Sequence, residues 1–414
     1  MTEYKNPIFI TGRFRSGTSF LWQLFDQLDG FCAWYEPLHP QLTAAVKHVR
    51  PKTSHVGIED YWSTYRQHPN YEKYHSSRFA TEQLYLESGQ RYRELKNYIN
   101  HLIELSSPQV PVLQFNRMDF RLAWLKAEFP DATIIHIDRN SLHAYLSQRK
   151  HIAADHRHDA DYWDAYELVQ WCYALQGELP FLLKAPFDGH AFCRFYALDQ
   201  LSRLMAKAHA DININLDSDV FYSDDFVAKI AGVVALRSSQ KDAMKKMVHI
   251  PQLPDFEDEN FKDLVVMMTE VDLILSAAGL LSGFGLKTMK SIRFQNREFW
   301  RCLEPANEVP AKLQQMAQQI QQEVARITAE NQEMSKQLNP DQPTSQPKNL
   351  SDNPDSSCSF SFDQLAQNEQ QTINDLLLCI NELNTNMTEI LTFNHQLREQ
   401  VAQITTKESD QEPQ

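Results

Sequence analysis

Residues Gly12 to Ser19 read GRFRSGTS, a cluster of the residue types that bind an anion. Gly12 and Gly17 have the G-x-x-x-x-G spacing of a Walker A loop, although Thr18 stands where that loop carries its lysine. Glycines allow a tight turn, and the N–H groups of the loop and the following helix then face an anion. Ser16, Thr18 and Ser19 add hydroxyl donors, and Arg15 supplies positive charge in place of the lysine. Phosphoryl transfer from a nucleoside triphosphate normally combines that lysine with Mg²⁺. A sulfuryl group brings less charge, so an arginine and hydroxyl-rich loop without metal suffices for it. The alternative is a strand–helix turn whose Ser or Thr merely caps the helix.

A second polar group follows the strand TIIHID. Arg139 at its carboxyl end can hold a phosphate bidentately, and Ser147 lies two turns into the next helix. Open α/β sheets bind ligands at such strand ends. Each residue alone also reads as a surface arginine or an ordinary helical serine. Glu36 ends another strand, FCAWYE, beside the glycine loop, where it serves as a base, caps a helix or pairs with Arg13 or Arg15. Lys184 in LLKAPFDGH and Arg117 in QFNR are further candidates for ligand contact, or are solvated. His151, Asp155, His156, His158, Asp159 and Asp161 crowd one segment, but their spacing matches no standard zinc helix, and acceptor contact suits them better than metal. Tyr162, Trp163, Tyr166, Trp171 and Tyr173 suit either a sugar-stacking wall or helical core packing.

RSGTSFLWQLF followed by WYEPL resembles the 5′-phosphosulfate loop of sulfotransferases that use 3′-phosphoadenosine 5′-phosphosulfate. The likeness is closest to the carbohydrate (6-O type) branch, where R-S-G-[ST]-S-F and a later Y-E-P-L occur together. FPDATIIHIDRNSLHAYLSQRK is similar to the family's 3′-phosphate element, a strand ending in Arg with a Ser eight residues on. The usual Arg-Asp-Pro is here Arg139-Asn140-Ser141, which departs from the pattern but keeps both phosphate ligands. The resemblance covers about residues 7–40 and 110–150. It implies a phosphosulfate co-substrate and no metal. It implies cofactor contacts from Arg15, Ser16, Gly17, Thr18, Ser19, Arg139 and Ser147, while Arg13 lines the mouth of the loop and joins them or is simply solvated. It implies Glu36 as the general base toward a hydroxyl acceptor, a carbohydrate or small metabolite. Arg15 then balances charge on the transferred group and the leaving phosphate. Rival readings are a P-loop kinase and a non-catalytic nucleotide-binding scaffold that presents a coiled coil.

Elements must position these residues. Five apolar runs predict strands at Ile8–Gly12, Phe31–Tyr35, Val110–Phe115, Thr133–Asp138 and Ile212–Leu216. Helical patterns fall at Gly17–Leu28, Arg117–Glu128, Ser141–His151 and Ala191–Ala208. Alternating strands and helices predict an α/β fold: a P-loop-like parallel five-stranded sheet flanked by helices, with a C-terminal coiled-coil arm. A long helical insert is expected over about 41–106, and Leu264–Leu286 reads as a core helix pair with Glu270 and Asp272 inside it.

The expected divisions are a sulfotransferase domain over 1–304, a helical segment over 305–338, a flexible proline-rich linker over 339–361 and a coiled coil over 362–414. All 11 glycines and all 7 tryptophans precede residue 305, so the tail lacks the means to build a globular core. Its seam runs Ile373, Leu376, Ile380, Leu383, Met387, Ile390, Asn394, Leu397, Val401 and Ile404, with an earlier stretch Val324, Ile327, Asn331, Met334 and Leu338. That pattern predicts self-association, with an intramolecular hairpin and a partner protein as competitors.

The chain has 414 residues, 42% of them hydrophobic, enough for a sizeable core. Its net charge of −14 is concentrated in the tail, where residues 305–414 hold 6 Lys+Arg against 16 Asp+Glu. No basic stretch suits nucleic acid or an anionic membrane. Six scattered cysteines without C-x-x-C fit a reducing compartment. With no secretory pattern at MTEYKNPIFITG, a cytoplasmic protein is expected.

Overall fold

The computed structural model describes residues 6–48, 60–150, 152–162, 166–221, 223–249, 261–303, 309–338 and most of 373–398. The chain divides into two compact units, Met1–Ala306 and Asn307–Gln414.

The first unit is built on a five-stranded sheet of β1 (Ile8–Thr11), β2 (Phe31–Tyr35), β3 (Val110–Phe115), β4 (Thr133–Asp138) and β5 (Ile212–Asn215) in the order β2-β3-β1-β4-β5. Every pairing is parallel. All five strands lie where the apolar runs place them, with β1 and β5 one residue shorter at the carboxyl end. The chain leaves β1 to build β2 and β3 on one side, then crosses back to build β4 and β5 on the other. That reversal opens a crevice at the carboxyl ends of β1 and β4, where sheets of this kind take ligands.

Helices α1 (Thr18–Asp26), α2 (Leu42–His48), α3 (Ser63–Gln67), α4 (Arg93–Leu105), α5 (Leu122–Glu128), α6 (Ser141–Arg149), α7 (Leu168–Ala174) and α8 (Ala191–His209) alternate with the first four strands and lead into β5. Then come α9 (Ser223–Ala231), α10 (Ser238–Met247), α11 (Phe261–Ala277), α12 (Leu280–Gly283), α13 (Met289–Gln295) and α14 (Arg297–Arg301). Alternate residues of the strands enter opposite layers. Phe9, Leu113, Phe115 and Ile134 pack with α4, α5 and α8, whereas Ile8, Ile10, Val112, Ile135 and Ile137 pack with α1, α9 and α10. Burial on both faces is why the strands read as continuous apolar runs.

The insert over 41–106 is less helical than its pattern suggests. It holds α2, α3, a 3₁₀ turn at Ser77–Ala80 and α4, and residues 49–59 lie outside the described ones. Its turns are fastened by the buried Arg121, which donates to the carbonyls of Phe79 and Gln83, each at 2.8 Å. The helix expected from Arg117 begins only at Leu122, after a 3₁₀ turn at Asp119–Arg121, because Asn116 and Arg117 are engaged in the site described below. The pair expected over Leu264–Leu286 is α11 and α12, with Val271, Leu275 and Leu280 buried. Among the described residues no helix is long and apolar enough to cross a membrane.

In the second unit, α15 (Val309–Leu338) packs against a helix formed by the described residues of 373–398. Asn331 Nδ2 donates to the Ile390 carbonyl at 3.1 Å, and Arg398 lies 3.6 Å from Glu330. Ile327, Ile373, Ile380 and Ile390 are buried. The two stretches of the seam therefore meet within one chain. The linker over 339–361, the seam positions Leu397, Val401 and Ile404, and much of 362–414 lie outside the described residues.

Candidate functional site

The loop after β1 is shaped by its two glycines. A Cβ on Gly12 would stand 2.3 Å from the Ile137 carbonyl oxygen and 2.7 Å from Ser16 Oγ. Gly17 has φ 108°, and a Cβ there would stand 2.8 Å from Leu216. Gly17 is the N-cap of α1, with no side chain capping the helix. The hydroxyls that could have capped it point elsewhere. Thr18 donates to Asn116 Oδ1 at 2.8 Å, and Ser19 Oγ lies 2.9 Å from the Tyr35 hydroxyl. The first turn of α1 thus keeps N–H groups that no side chain covers, which argues against the helix-capping alternative.

A cavity of about 240 Å³ opens at this helix end. It brings together seven of the residues expected from sequence: Arg15, Gly17, Thr18, Ser19, Glu36, Arg139 and Ser147. Asn116, Tyr35 and Tyr166 also line it, with Phe14, Phe20, Leu216 and His249 as flatter walls. Two expected residues do not line it. Arg13 is buried, 3.4 Å from Asp119, with its guanidinium 4.3 Å from the Trp171 ring centre. Burial raises the Asp119 carboxyl to about 6 although Arg13 pulls it down. Ser16 is buried in the turn, its N–H donating to the Arg13 carbonyl at 3.2 Å. Lys184 is half-buried away from the cavity lining.

Glu36 does not lie on a strand next to β1, since β3 intervenes. It reaches the cavity because the polar carboxyl end of β3 bridges the gap. Asn116 Nδ2 donates to one carboxylate oxygen at 2.6 Å, and Arg117 Nη1 to the other at 3.0 Å. Gln114 Oε1 accepts from the Glu36 N–H at 3.0 Å, and Gln114 Nε2 donates to Asn116 at 2.9 Å. Asn116 therefore joins Thr18 at the start of α1 to Glu36 just past the end of β2. The partner of Glu36 is Arg117, where sequence reasoning weighed Arg13 and Arg15. Arg117 also grips Glu167 with two hydrogen bonds, at 2.8 and 2.6 Å. Burial opposes charge on Arg117, but Glu167 and Glu36 more than offset this and hold it above the usual arginine value. Burial pushes the Tyr35 phenol well up, so it stays protonated. Arg15 and Glu36 both have left-handed backbones, φ 67° and 41°, a conformation retained in non-glycine residues only where surroundings impose it.

At the β4 side, Arg139 Nε donates to Asp217 at 3.1 Å, and Asp217 also accepts from the Asn140 N–H at 2.6 Å. Ser147 Oγ accepts from Arg15 Nε at 3.2 Å, so the glycine loop and α6 touch. Asn140 caps α6, its side chain accepting from the Leu142 N–H at 2.9 Å, and Ser141 donates to Asp199 at 2.6 Å. The departure from Arg-Asp-Pro is thus structurally complete: Asn140 supplies the cap.

The described His and Asp residues of the His/Asp segment are exposed and do not line the cavity. His156 stacks on Tyr162 with ring centres 4.4 Å apart, His158 meets His190 at 4.9 Å, and Asp161 pairs with the buried Arg194 at 2.8 Å. His151 lies outside the described residues, among which no group of three His, Cys, Asp or Glu could hold a metal. Of the aromatic series, Trp171 and Tyr173 are core, Tyr166 lines the cavity and Trp163 lies outside the described residues. Sequence reasoning missed Asn116, Glu167 and Asp217. The polar run QFNR ending an apolar strand was the signal available for the first; the others act through partners distant in the chain.

A model of the sulfotransferase family matches residues 7–194. The match runs from β1 into α8 and includes the glycine loop, Glu36, Arg117, Arg139, Ser147 and Glu167. No curated protein and no solved structure matches the chain.

Proposed function

We propose that this chain, with its sulfotransferase-family domain over residues 7–194, transfers a sulfuryl group from 3′-phosphoadenosine 5′-phosphosulfate to a hydroxyl of a carbohydrate or small metabolite. The observation that carries the reading is one cavity lined by an uncapped helix end, Arg15, the Arg139 and Ser147 pair, and the Glu36 carboxylate. The α1 N–H groups, Ser19 and Arg15 suit the phosphosulfate end, making the loop P-loop-like in role. Arg139 and Ser147 suit the 3′-phosphate. The co-substrate supplies an electrophilic sulfur and a good phosphate leaving group. Glu36 takes the acceptor's hydroxyl proton as the new S–O bond forms and the bond to the leaving phosphate breaks. Its oxygens each accept one hydrogen bond from protein, and a carboxylate oxygen has room for another. Arg15 balances charge that moves onto the leaving phosphate.

The test is a thermal-shift titration with 3′,5′-adenosine bisphosphate in a chelator. Binding at a hundredfold excess over Kd stabilises by about 2.7 kcal/mol. A shift only with ATP and Mg²⁺ would instead support a kinase. Bisphosphate binding without transfer to any alcohol in a broad screen would support the scaffold reading. The buried, free Cys32, Cys172 and Cys193 fit a reducing compartment, and the cytoplasm is the one we favour. We read the helix pair of the second unit as an assembly arm, because two helical hairpins commonly associate as a four-helix bundle. Light scattering that gives a monomeric mass for the full chain would exclude this.

A further inference from the structure

Glu167 stands outside the cavity lining yet is tied to the one carboxylate that faces the acceptor. It opens α7 with a left-handed backbone, φ 58°, next to Tyr166 at φ 52°. Its carboxylate takes both bonds of the Arg117 fork and a third from Trp171 Nε1 at 3.3 Å. The remaining Arg117 nitrogen, Nη1, holds Glu36. Trp171 in turn lies under Arg13, Phe14 lies 5.0 Å from the Arg117 guanidinium carbon, and the Phe14 and Tyr166 ring centres are 6.0 Å apart. The start of α7 is thus clamped onto the phosphate loop and onto the partner of Glu36 together.

One guanidinium shared by the buried Glu36 carboxylate and the half-buried Glu167 carboxylate has a consequence for proton transfer. Arg117 alone beside Glu36 would stabilise the carboxylate and weaken it as a base. A second anion on the same guanidinium offsets part of that field. The fork also fixes the Arg117 plane, and hence the direction in which Nη1 holds Glu36. Of the groups facing Glu36, the phenols and His39 add little variable charge. Tyr35, Tyr61 and Tyr65 are phenols raised by burial, and they stay neutral. Burial, followed by the field of Arg117, lowers His39 to about 3, so it is neutral too. Arg15, Arg139 and His249 line the same cavity, and a His249→Gln background takes that imidazole out of the rate profile.

We propose that Glu167 is a positioning residue for the reaction: through Arg117 it orients Glu36 and offsets the field of that guanidinium at the Glu36 carboxylate. This rests on the sulfotransferase reading and assigns a new residue to it. The probe is sulfate release from the phosphosulfate with water as acceptor, followed across pH. Melting shifts with 3′,5′-adenosine bisphosphate are recorded alongside. For Glu167→Gln, the acidic limb of the rate profile moves to lower pH by on the order of one unit, because the anion that offsets Arg117 is gone. The plateau falls about threefold, as expected for a weaker base. Bisphosphate binding stays as in the parent. Arg117→Gln moves the limb the opposite way, and Glu167→Asp restores most of the parent profile. A limb unmoved in Glu167→Gln overturns the proposal, as does parallel loss of rate and bisphosphate binding, which marks a merely structural role. If the unaltered protein itself neither binds the bisphosphate nor releases sulfate, the sulfotransferase reading falls, and the proposal with it.

Discussion

Two strand–helix junctions stand side by side at the carboxyl edge of the sheet, and they handle the same physical problem in opposite ways. Every helix begins with N–H groups that lack intrahelical partners. At β4–α6, Asn140 covers one of them with its own side chain. At β1–α1, Gly17 offers no side chain, and Thr18 and Ser19 send their hydroxyls to Asn116 and Tyr35. One junction is finished within the protein and contributes side chains to the cavity, Arg139 and Ser147. The other is left open and contributes backbone. An anion would complete the second and only touch the first. The cavity thus has backbone N–H groups at one junction and the Arg139 and Ser147 side chains at the other, an arrangement that would suit a ligand bearing two separated anions.

The largest expected effect comes from the residue that neither junction supplies. Glu36→Gln should lower turnover roughly 10²- to 10⁴-fold, the usual contribution of a general base. Affinity for 3′,5′-adenosine bisphosphate should stay nearly unchanged, because both junctions remain intact. Isothermal titration and turnover on the best acceptor separate the two. Wild-type turnover in this variant would remove Glu36 from the chemistry and leave the junctions as a binding site only.

Next in size is Gly17→Ala, which attacks the open junction. The added methyl meets Leu216 at 2.8 Å and the backbone sits at φ 108°, so a cost of about 1–3 kcal/mol in stability is expected. Bisphosphate affinity should fall as well, since the loop cannot keep its path. A variant that binds as well as the parent would show that the open helix end is not used.

How much of this was readable beforehand depends on the distance over which each feature is decided. The strands are local, and TIIHID or IFIT announce themselves by composition. The lateral order β2-β3-β1-β4-β5 is not local, and without it the carboxyl end of β3 has no reason to sit between the loop and Glu36. Arg15, Gly17 and Ser19 were legible because loop geometry follows from residue type. Arg13 had the same credentials, but Asp119 and Trp171, both more than a hundred residues away, draw it out of the cavity. Asn116 and Glu167 escaped largely for the same reason, since Thr18 and Glu36 for the one and Arg117 for the other lie far along the chain.

A third expectation concerns the seam between the junctions. Thr11 and His136 sit on adjacent β1 and β4, just before the two turns, with Thr11 Oγ1 3.1 Å from His136 Nδ1. Burial lowers the His136 ring to about 3, against 6.5 for a free ring. The unfolded chain therefore binds a proton below about pH 6.5 that the folded one does not. This stabilising difference is complete above about pH 6.5 and is lost as pH falls toward about 3. At about pH 5 the loss from this ring is about 2 kcal/mol, and His39 and His75, lowered by burial to about 3 and 4, act in the same direction. Melting temperature should fall on acidification from about pH 7 to about pH 5, and His136→Gln should shrink that fall. An equal fall in the variant would show that this ring is not held neutral.

The smallest effect belongs to the closed junction, and it is the most discriminating. Asn140→Ala removes the side-chain acceptor from the Leu142 N–H and should cost about 1 kcal/mol, or about 2–4 °C in melting temperature for a unit of this size. Asn140→Gly should cost only a few tenths of that energy, since glycine leaves the helix end accessible to water. Neither change removes Arg139 or Ser147, and the Asn140 N–H still reaches Asp217, so bisphosphate affinity should change little. The ratio of the two effects is what matters. Asn140→Ala lowers stability with little effect on binding, whereas Gly17→Ala lowers both. Suppose instead that Asn140→Ala weakened bisphosphate binding as much as Gly17→Ala. The Asn140 cap would then be part of the ligand site, the division between an open junction and a finished one would be wrong, and both helix ends would have to be counted as anion-binding surfaces.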